Sequence, residues 1–224
     1  MSYYGSLFKI FFSMEDHLFR IRKAEKIHNL WKTTLLIVLL SLLVYGWMSY
    51  LGMGSDLISR NAASMSAIQY EITKAGFIIG RLLYALLLSA FVLFVPSLLF
   101  HLLTNIPYKK LLVMQQAVLL VMLVERLTWI PLMLLSGLDW YVSPFSFGII
   151  ASYFTDNAWL IFFFGAISLF QLWIMWFQVK FLSTMAAISK KWLWANVFIL
   201  HILYWCMAAL FSYSDTFILS GWFE

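Results

Sequence analysis

The stretch that decides the fold runs from residue 76 to residue 103 and reads GFIIGRLLYALLLSAFVLFVPSLLFHLL. Arg81 is its only permanently charged side chain. An α-helix crosses about 30 Å of hydrocarbon with about 20 apolar residues, so this stretch is longer than one membrane span requires. Its length and the internal Pro96 together predict a tilted or kinked transmembrane helix.

Four more apolar stretches of spanning length lie on either side of it. They cover residues 33–51, 111–135, 158–182 and 192–211. Of the 224 residues, 63% are hydrophobic and 11% are charged, whereas soluble proteins average about 45–50% and about 25%. A soluble domain of this size has no core large enough for so much apolar surface. Because no alternating β-barrel pattern is present, the sequence predicts an all-α polytopic membrane helix bundle of about five transmembrane helices.

Basic residues are divided unevenly between the two sides of these five segments. One side carries Lys9, Arg20, Arg22, Lys23, Lys26, Lys32, Lys109, Lys110, Lys180, Lys190 and Lys191. The other side carries Arg60 and Lys74. Because positively charged loops stay in the cytoplasm, we expect a multi-pass protein of the cell membrane with its N-terminus inside and Glu224 outside. The basic residues form no single face, which argues against nucleic-acid binding despite a net charge of +5.

Residues 1–32 form a separate cytoplasmic segment in this scheme, ahead of a five-helix transmembrane domain over 33–224. Large apolar side chains recur here at spacings of three and four while basic residues face elsewhere, which is typical of a helix lying on an anionic membrane surface. The predicted interfacial helix includes Phe8, Phe11, Phe12, Leu18, Phe19, Arg20, Arg22 and Lys23. The alternative is a helix packed against the cytoplasmic ends of the other helices, and the two interpretations are compatible.

Sequence motifs of enzymes are missing from the chain. It has no HExxH zinc motif, no GxSxG nucleophile motif and no Walker A phosphate loop. No group of Asp, Glu and His has metal-ligand spacing, and the single cysteine, Cys206, excludes an intrachain disulfide. We therefore predict no catalytic residue, no cofactor and no metal.

Charged residues inside the apolar segments form the candidate site. Arg81 lies in the second segment, and the adjacent Glu125 and Arg126 lie in the third. Ionisable groups inside a membrane are costly and usually mark a function or a partner. Neighbours on a helix point about 100° apart, so we expect Glu125 to pair with Arg81 and Arg126 to face outward or toward another protein. A structural pair is the favoured role, and a transport role is the alternative. Glutamines are further candidates for linking helices: Gln115, Gln116, Gln171 and Gln178.

Two short motifs carry a family resemblance. Residues 11–19 read FFSMEDHLF and are followed by Arg22, Lys23, Trp31 and Lys32, while residues 107–112 read PYKKLL. In this basic, amphipathic opening and in the approach to the third helix, the chain resembles the bacterial Yip domain (Ypt-interacting protein) family and its YknW-like members. Met14 stands where many of those members carry proline. The resemblance spans nearly the whole chain and implies an accessory membrane protein without catalytic residues, which in some members accompanies an ABC-type efflux system.

The leading functional hypothesis is a non-enzymatic accessory or assembly factor that acts through other integral membrane proteins, with an ABC-type export complex as one candidate partner. A transporter or permease subunit is the first alternative, and a water-accessible cavity reaching Arg81, Glu125 and Arg126 would favour it. An intramembrane enzyme is the second alternative, and it would require Glu125, His101 and His201 in one pocket. The expected partners are the lipid bilayer and other membrane proteins.

Overall fold

Helices make up 83% of the residues that the structure describes, which confirms the predicted all-α class. The computed structural model describes residues 2–4 and 11–222. Within these residues, four helices are long and apolar enough to cross a membrane, so the protein is of the membrane class. The chain forms two compact units, Met1–Leu123 (unit 1) and Val124–Glu224 (unit 2).

Unit 1 consists mainly of long helices joined by short connections. Its elements are β1 (Ser2–Tyr4), α1 (Met14–Lys23), β2 (Lys26–His28), α2 (Leu30–Tyr50), α3 (Asp56–Asn61), a 3-10 turn (Ala62–Ser64), α4 (Ala67–Thr104) and the first part of α5 (Tyr108–Ser136). The two short strands pair in parallel, with Ser2 opposite Lys26 and Tyr4 opposite His28. The helices α2, α4 and α5 correspond to the first three predicted membrane segments.

The 38-residue helix α4 has strong signals at both ends. The Ser66 hydroxyl accepts a hydrogen bond from the Gln69 backbone N–H, and the Gln69 side chain accepts one from the Ser66 N–H, which completes a capping box. Asn105 adopts the left-handed conformation that ends many helices. Pro96 lies inside α4, and the adjacent Ser97 hydroxyl donates to the backbone carbonyl one turn earlier at 2.6 Å. This i−4 bond is usual for a helical serine. The carbonyl that Pro96 leaves without an N–H donor is that of Val92, and α4 nevertheless continues to Thr104.

Side chains connect the long helices of unit 1. The helices α2 and α4 pack together, and the rings of Tyr45 and Tyr84 meet edge to face at 5.7 Å between centroids. Gln116 of α5 is buried, and its Nε2 donates to the Leu30 carbonyl at 3.0 Å and to the Thr34 hydroxyl at 2.8 Å. Gln116 therefore links α5 to the first turns of α2.

Unit 2 consists of shorter helices packed around the last one. Its elements are the second part of α5, a 3-10 turn (Trp140–Val142), α6 (Gly148–Phe154), α7 (Ala158–Ala166), α8 (Leu169–Met185) and α9 (Lys190–Trp222). The helix α9 packs against α7 and α8, and α6 packs against α7. Two buried side chains link α8 to α9, with 3.0 Å between Gln178 Oε1 and His201 Nε2.

The prediction of one continuous helix over residues 158–182 was wrong. The helix α7 ends at Ala166, Ile167 and Ser168 are extended, and α8 begins at Leu169. Both halves are apolar, so hydropathy alone does not register the interruption. The Ser168 hydroxyl accepts a hydrogen bond from the Gln171 N–H at 3.2 Å and starts the second helix as its N-cap.

The amphipathic N-terminal segment packs one face onto unit 1. Leu18 and Ile21 of α1 are buried, and Nζ of Lys110 donates to the Arg22 carbonyl at 2.8 Å. Phe12 and Phe19 remain exposed, at 91% and 52%. The helix α1 therefore has one side against the protein and an exposed aromatic side, a combination that both interpretations of the segment accommodate.

Charged side chains of α1 also interact within the helix. Arg20 pairs with Asp16 at 2.9 Å, and the ammonium group of Lys23 lies 4.2 Å from the Phe19 ring centroid. The expectations that concern Phe8, Lys9 and Glu224 fall outside the described residues.

Candidate intramembrane polar site

Glu125 is a buried carboxylate in unit 2, with 5% of its surface exposed. Its Oε2 accepts a hydrogen bond from Gln171 Nε2 at 3.4 Å. Gln171 lies in the first turn of α8, so Glu125 contacts α8 close to its N-terminus. The Gln171 amide gives the buried Glu125 side chain a hydrogen-bond partner, which offsets part of the cost of burying it.

Backbone groups at the interruption between α7 and α8 are paired with a segment that precedes α6. The Phe147 N–H donates to the Ile167 carbonyl, and the Leu169 N–H donates to the Phe145 carbonyl, both at 3.0 Å. Irregular backbone at membrane depth is tolerated when it is buried in protein with its polar groups satisfied. The 145–147 segment therefore makes the interruption possible.

Two glycines allow three backbone segments to meet beside the interruption. A Cβ atom at Gly165 would lie 2.7 Å from Cβ of Tyr141. A Cβ atom at Gly148 would collide with the Tyr141 carbonyl oxygen and lie 2.9 Å from Cα of Gly165. Real Cβ atoms do not approach so closely, so the 3-10 turn, α6 and α7 pack in a way that only glycine permits at these two positions.

Arg126 begins an aromatic layer next to the same region. Its guanidinium carbon lies 3.6 Å from the Trp129 ring centroid, which is a close cation–π contact. The Trp129 ring lies 5.9 Å from Trp140, and Trp140 stacks on Phe162 of α7 at 6.2 Å. The layer therefore connects the end of α5 with α7 through aromatic contacts.

Arg81 has its own environment in unit 1. Its Nη2 donates to the Met53 carbonyl at 3.5 Å, and its guanidinium carbon lies 5.2 Å from the Phe77 ring centroid. A Cβ atom at Gly54 would collide with this guanidinium group. Arg81 therefore covers the connection between α2 and α3.

The three charged residues predicted as one site fall in different units. Glu125 and Arg126 belong to unit 2 and Arg81 belongs to unit 1, and each has the partners described above within its own unit. The pair between Arg81 and Glu125 stays a prediction.

The structure adds two residues to the Glu125 site. Gln171 was among the predicted helix-linking glutamines, whereas sequence reasoning missed the N-cap residue Ser168. A signal for it exists in the sequence, because Ser168 and Gln171 have the S-x-x-Q spacing of a capping box.

The histidines considered for chemistry make local contacts. His101 Nδ1 lies 2.7 Å from the Ile106 carbonyl in unit 1, and His201 contacts Gln178 in unit 2. Among the residues that the structure describes, no group of three or more His, Cys, Asp and Glu side chains is placed to hold a metal ion.

The chain was compared with protein-family models, with curated proteins and with solved structures, and none of the three comparisons found a match.

Proposed function

We propose that the protein is a non-enzymatic accessory or assembly factor that binds other integral membrane proteins. The observation that carries the proposal is an exposed strip on α4, which we define by Ile68, Ile72, Gly76 and Gly80. The strip begins in the polar turns of α4 and continues into its apolar part.

The N-terminal turns of α4 extend beyond a membrane span. Its 38 residues measure about 57 Å, against about 30 Å of hydrocarbon. Glu71 and Lys74 are exposed charges in these turns, which keeps the turns out of the lipid interior. Ile68 and Ile72 are 74% and 67% exposed. We place these side chains outside the hydrocarbon, where burying them against a partner is favourable.

The two glycines continue the strip into the apolar part of the helix. Gly76 and Gly80 form a GxxxG motif, and a Cβ atom at either position would meet nothing within 4 Å among the described residues. Small residues at this spacing let two transmembrane helices approach closely. The strip therefore offers a partner apolar side chains outside the membrane and an accessible backbone inside it.

Polar side chains in the interior support a scaffold role. The hydrogen bonds of Gln116 with Thr34, Gln171 with Glu125 and Gln178 with His201 each connect two helices. The family resemblance adds a candidate class of partner, an ABC-type export complex.

A photo-crosslinking experiment in native membranes tests the proposal. A crosslinking amino acid is placed at Ile72, with Leu102 of the same helix as the matched control, since the two positions are 67% and 68% exposed. We expect the Ile72 probe to capture one integral membrane protein in stoichiometric yield and the Leu102 probe to capture lipid. Gly80→Leu should abolish the protein adduct while the variant still elutes as a folded protein. Identical products from Ile72 and Leu102 would contradict the proposal.

A transporter or permease subunit is the second candidate, and the interrupted segment α7–α8 favours it. Interrupted helices whose N-termini face a charged group form the binding sites of many transporters. Gln171→Cys in a Cys206→Ser background tests for an aqueous path, because the chain then has one cysteine, located beside Glu125. Labelling by a membrane-impermeant thiol reagent would support transport, and protection from the reagent in intact membranes would argue against it.

A further inference from the structure

We infer that one face of α2 binds an anionic phospholipid, with the phosphate at Lys32 and one acyl chain along the leucines that follow it. The inference concerns a lipid ligand and is independent of the protein partner proposed for α4.

A shallow channel of about 360 Å³ runs along this face of α2. It is lined by Lys32, Leu35, Leu36, Leu39, Leu40 and Leu43. The charged residue is at one end, and the leucines occupy the rest. Lys32 and Leu43 are separated by about 16 Å along the helix axis, which is close to half of the about 30 Å hydrocarbon thickness. The channel therefore has the length of one leaflet, with a cation at the depth of the headgroups.

The Lys32 end of the channel is electrostatically suited to a phosphate group. Lys32 is exposed, and α2 begins two residues earlier with no acidic residue in its first turn. In the described structure the side chain of the N-cap residue, Asn29, makes no capping hydrogen bond. The positive end of the helix dipole therefore adds to the lysine charge. Trp31 is 64% exposed beside Lys32, and tryptophan prefers the headgroup region of a membrane.

The far end of the channel offers no comparable attraction. It opens into a groove of about 900 Å³ between α2 and α4, which shares Leu39 and Leu43 and reaches Trp47 and Tyr50. No charged side chain lines this groove among the described residues. The preference for an anionic lipid therefore arises at the Lys32 end of the channel. The bound lipid comes from the membrane leaflet at that end.

Native mass spectrometry of the purified full chain tests the inference. Phosphatidylglycerol and phosphatidylcholine with identical acyl chains are titrated onto wild type, Lys32→Gln and Lys109→Gln. Lys109 is the matched control, since it is an exposed lysine of unit 1 that does not line the channel. We expect wild type to prefer phosphatidylglycerol, Lys32→Gln to lose about fivefold of that preference, and Lys109→Gln to keep it within about twofold.

Three outcomes would overturn the inference. Equal binding of the two lipids by wild type would remove the anionic selectivity. An equal loss in Lys32→Gln and Lys109→Gln would show a diffuse attraction without a site. A photo-crosslinker at Leu39 that captures a protein in native membranes, and not a phospholipid, would assign the channel to a partner helix.

Discussion

The helix α4 and the segment α7–α8 look alike in sequence and differ in structure. Both are long apolar stretches that predict a spanning helix. The helix α4 passes through Pro96 and continues to Thr104, whereas α7 ends at Ala166 although residues 158–182 contain no proline. Apolar composition alone therefore does not decide whether a membrane helix is continuous.

Partners for the backbone explain the difference. The interruption after α7 frees N–H and C=O groups, and each unsatisfied group in hydrocarbon costs several kcal/mol. Phe145 and Phe147 supply those partners from a neighbouring segment. In α4, Pro96 removes a single N–H donor, and the helix continues to Thr104. The backbone conformation at the interruption in unit 2 therefore depends on contacts with another segment, whereas α4 continues without such contacts.

Alanine substitutions at glycine should give the largest contrast between the two regions. We expect Gly148→Ala and Gly165→Ala to lower the free energy of unfolding by about 3 kcal/mol, because each new Cβ overlaps with Tyr141. The measurement is unfolding of the detergent-solubilised protein by titration with dodecyl sulfate.

The matched controls are glycines in open surroundings. Gly76→Ala and Gly80→Ala should leave the free energy of unfolding unchanged or raise it by up to about 1 kcal/mol, because alanine favours a helix. An equal loss of unfolding free energy at all four positions would contradict the distinction between the open strip of α4 and the close backbone packing at Gly148 and Gly165.

Hydropathy and charge made most of the fold predictable. Strong helix signals such as Ser66 and Asn105 lie at the ends of α4, and its apolar length is unambiguous. The S-x-x-Q spacing at Ser168 signals the start of α8, but the break at Ile167 also depends on backbone partners about twenty residues earlier in the chain. Glu125 was identified as a candidate from its charge, but its contact with Gln171 depends on how α5 and α8 pack. Tertiary packing is the information that a single sequence lacks.

Substitutions of the polar side chains that link helices should give the next largest free-energy effect. A double-mutant cycle with Glu125→Ala and Gln171→Ala should give a coupling energy of about 1.5 kcal/mol, because one partner is a buried carboxylate. The corresponding cycle between Gln116 and Thr34 joins two neutral groups and should give about 0.6 kcal/mol. A larger coupling for the neutral pair would contradict the expectation that the buried acidic side chain of Glu125 makes the stronger link between helices.

Serine caps offer a third comparison. Ser168 caps α8 and is buried, while Ser66 caps α4 and is exposed. Ser168→Ala should cost about 1.5 kcal/mol and Ser66→Ala about 0.5 kcal/mol, measured by the same dodecyl sulfate titration. The buried cap costs more because water does not replace the lost acceptor for the Gln171 N–H. Equal costs would mean that water reaches the interruption, which would also favour a transport role.

The smallest effect on stability should come from Arg81 of α4, which the sequence predicts to pair with Glu125. Arg81→Gln should cost about 0.5 kcal/mol by itself, because the side chain is partly exposed and water can replace its bond to the Met53 carbonyl. The sequence-based pair predicts an additional coupling of about 0.6 kcal/mol with Glu125→Ala, typical of polar links within membranes. A double-mutant cycle measures that coupling directly, and a value within about 0.3 kcal/mol of zero would remove the pair. Arg81 would then act only on the connection between α2 and α3, and Glu125 would belong to the interrupted helix alone.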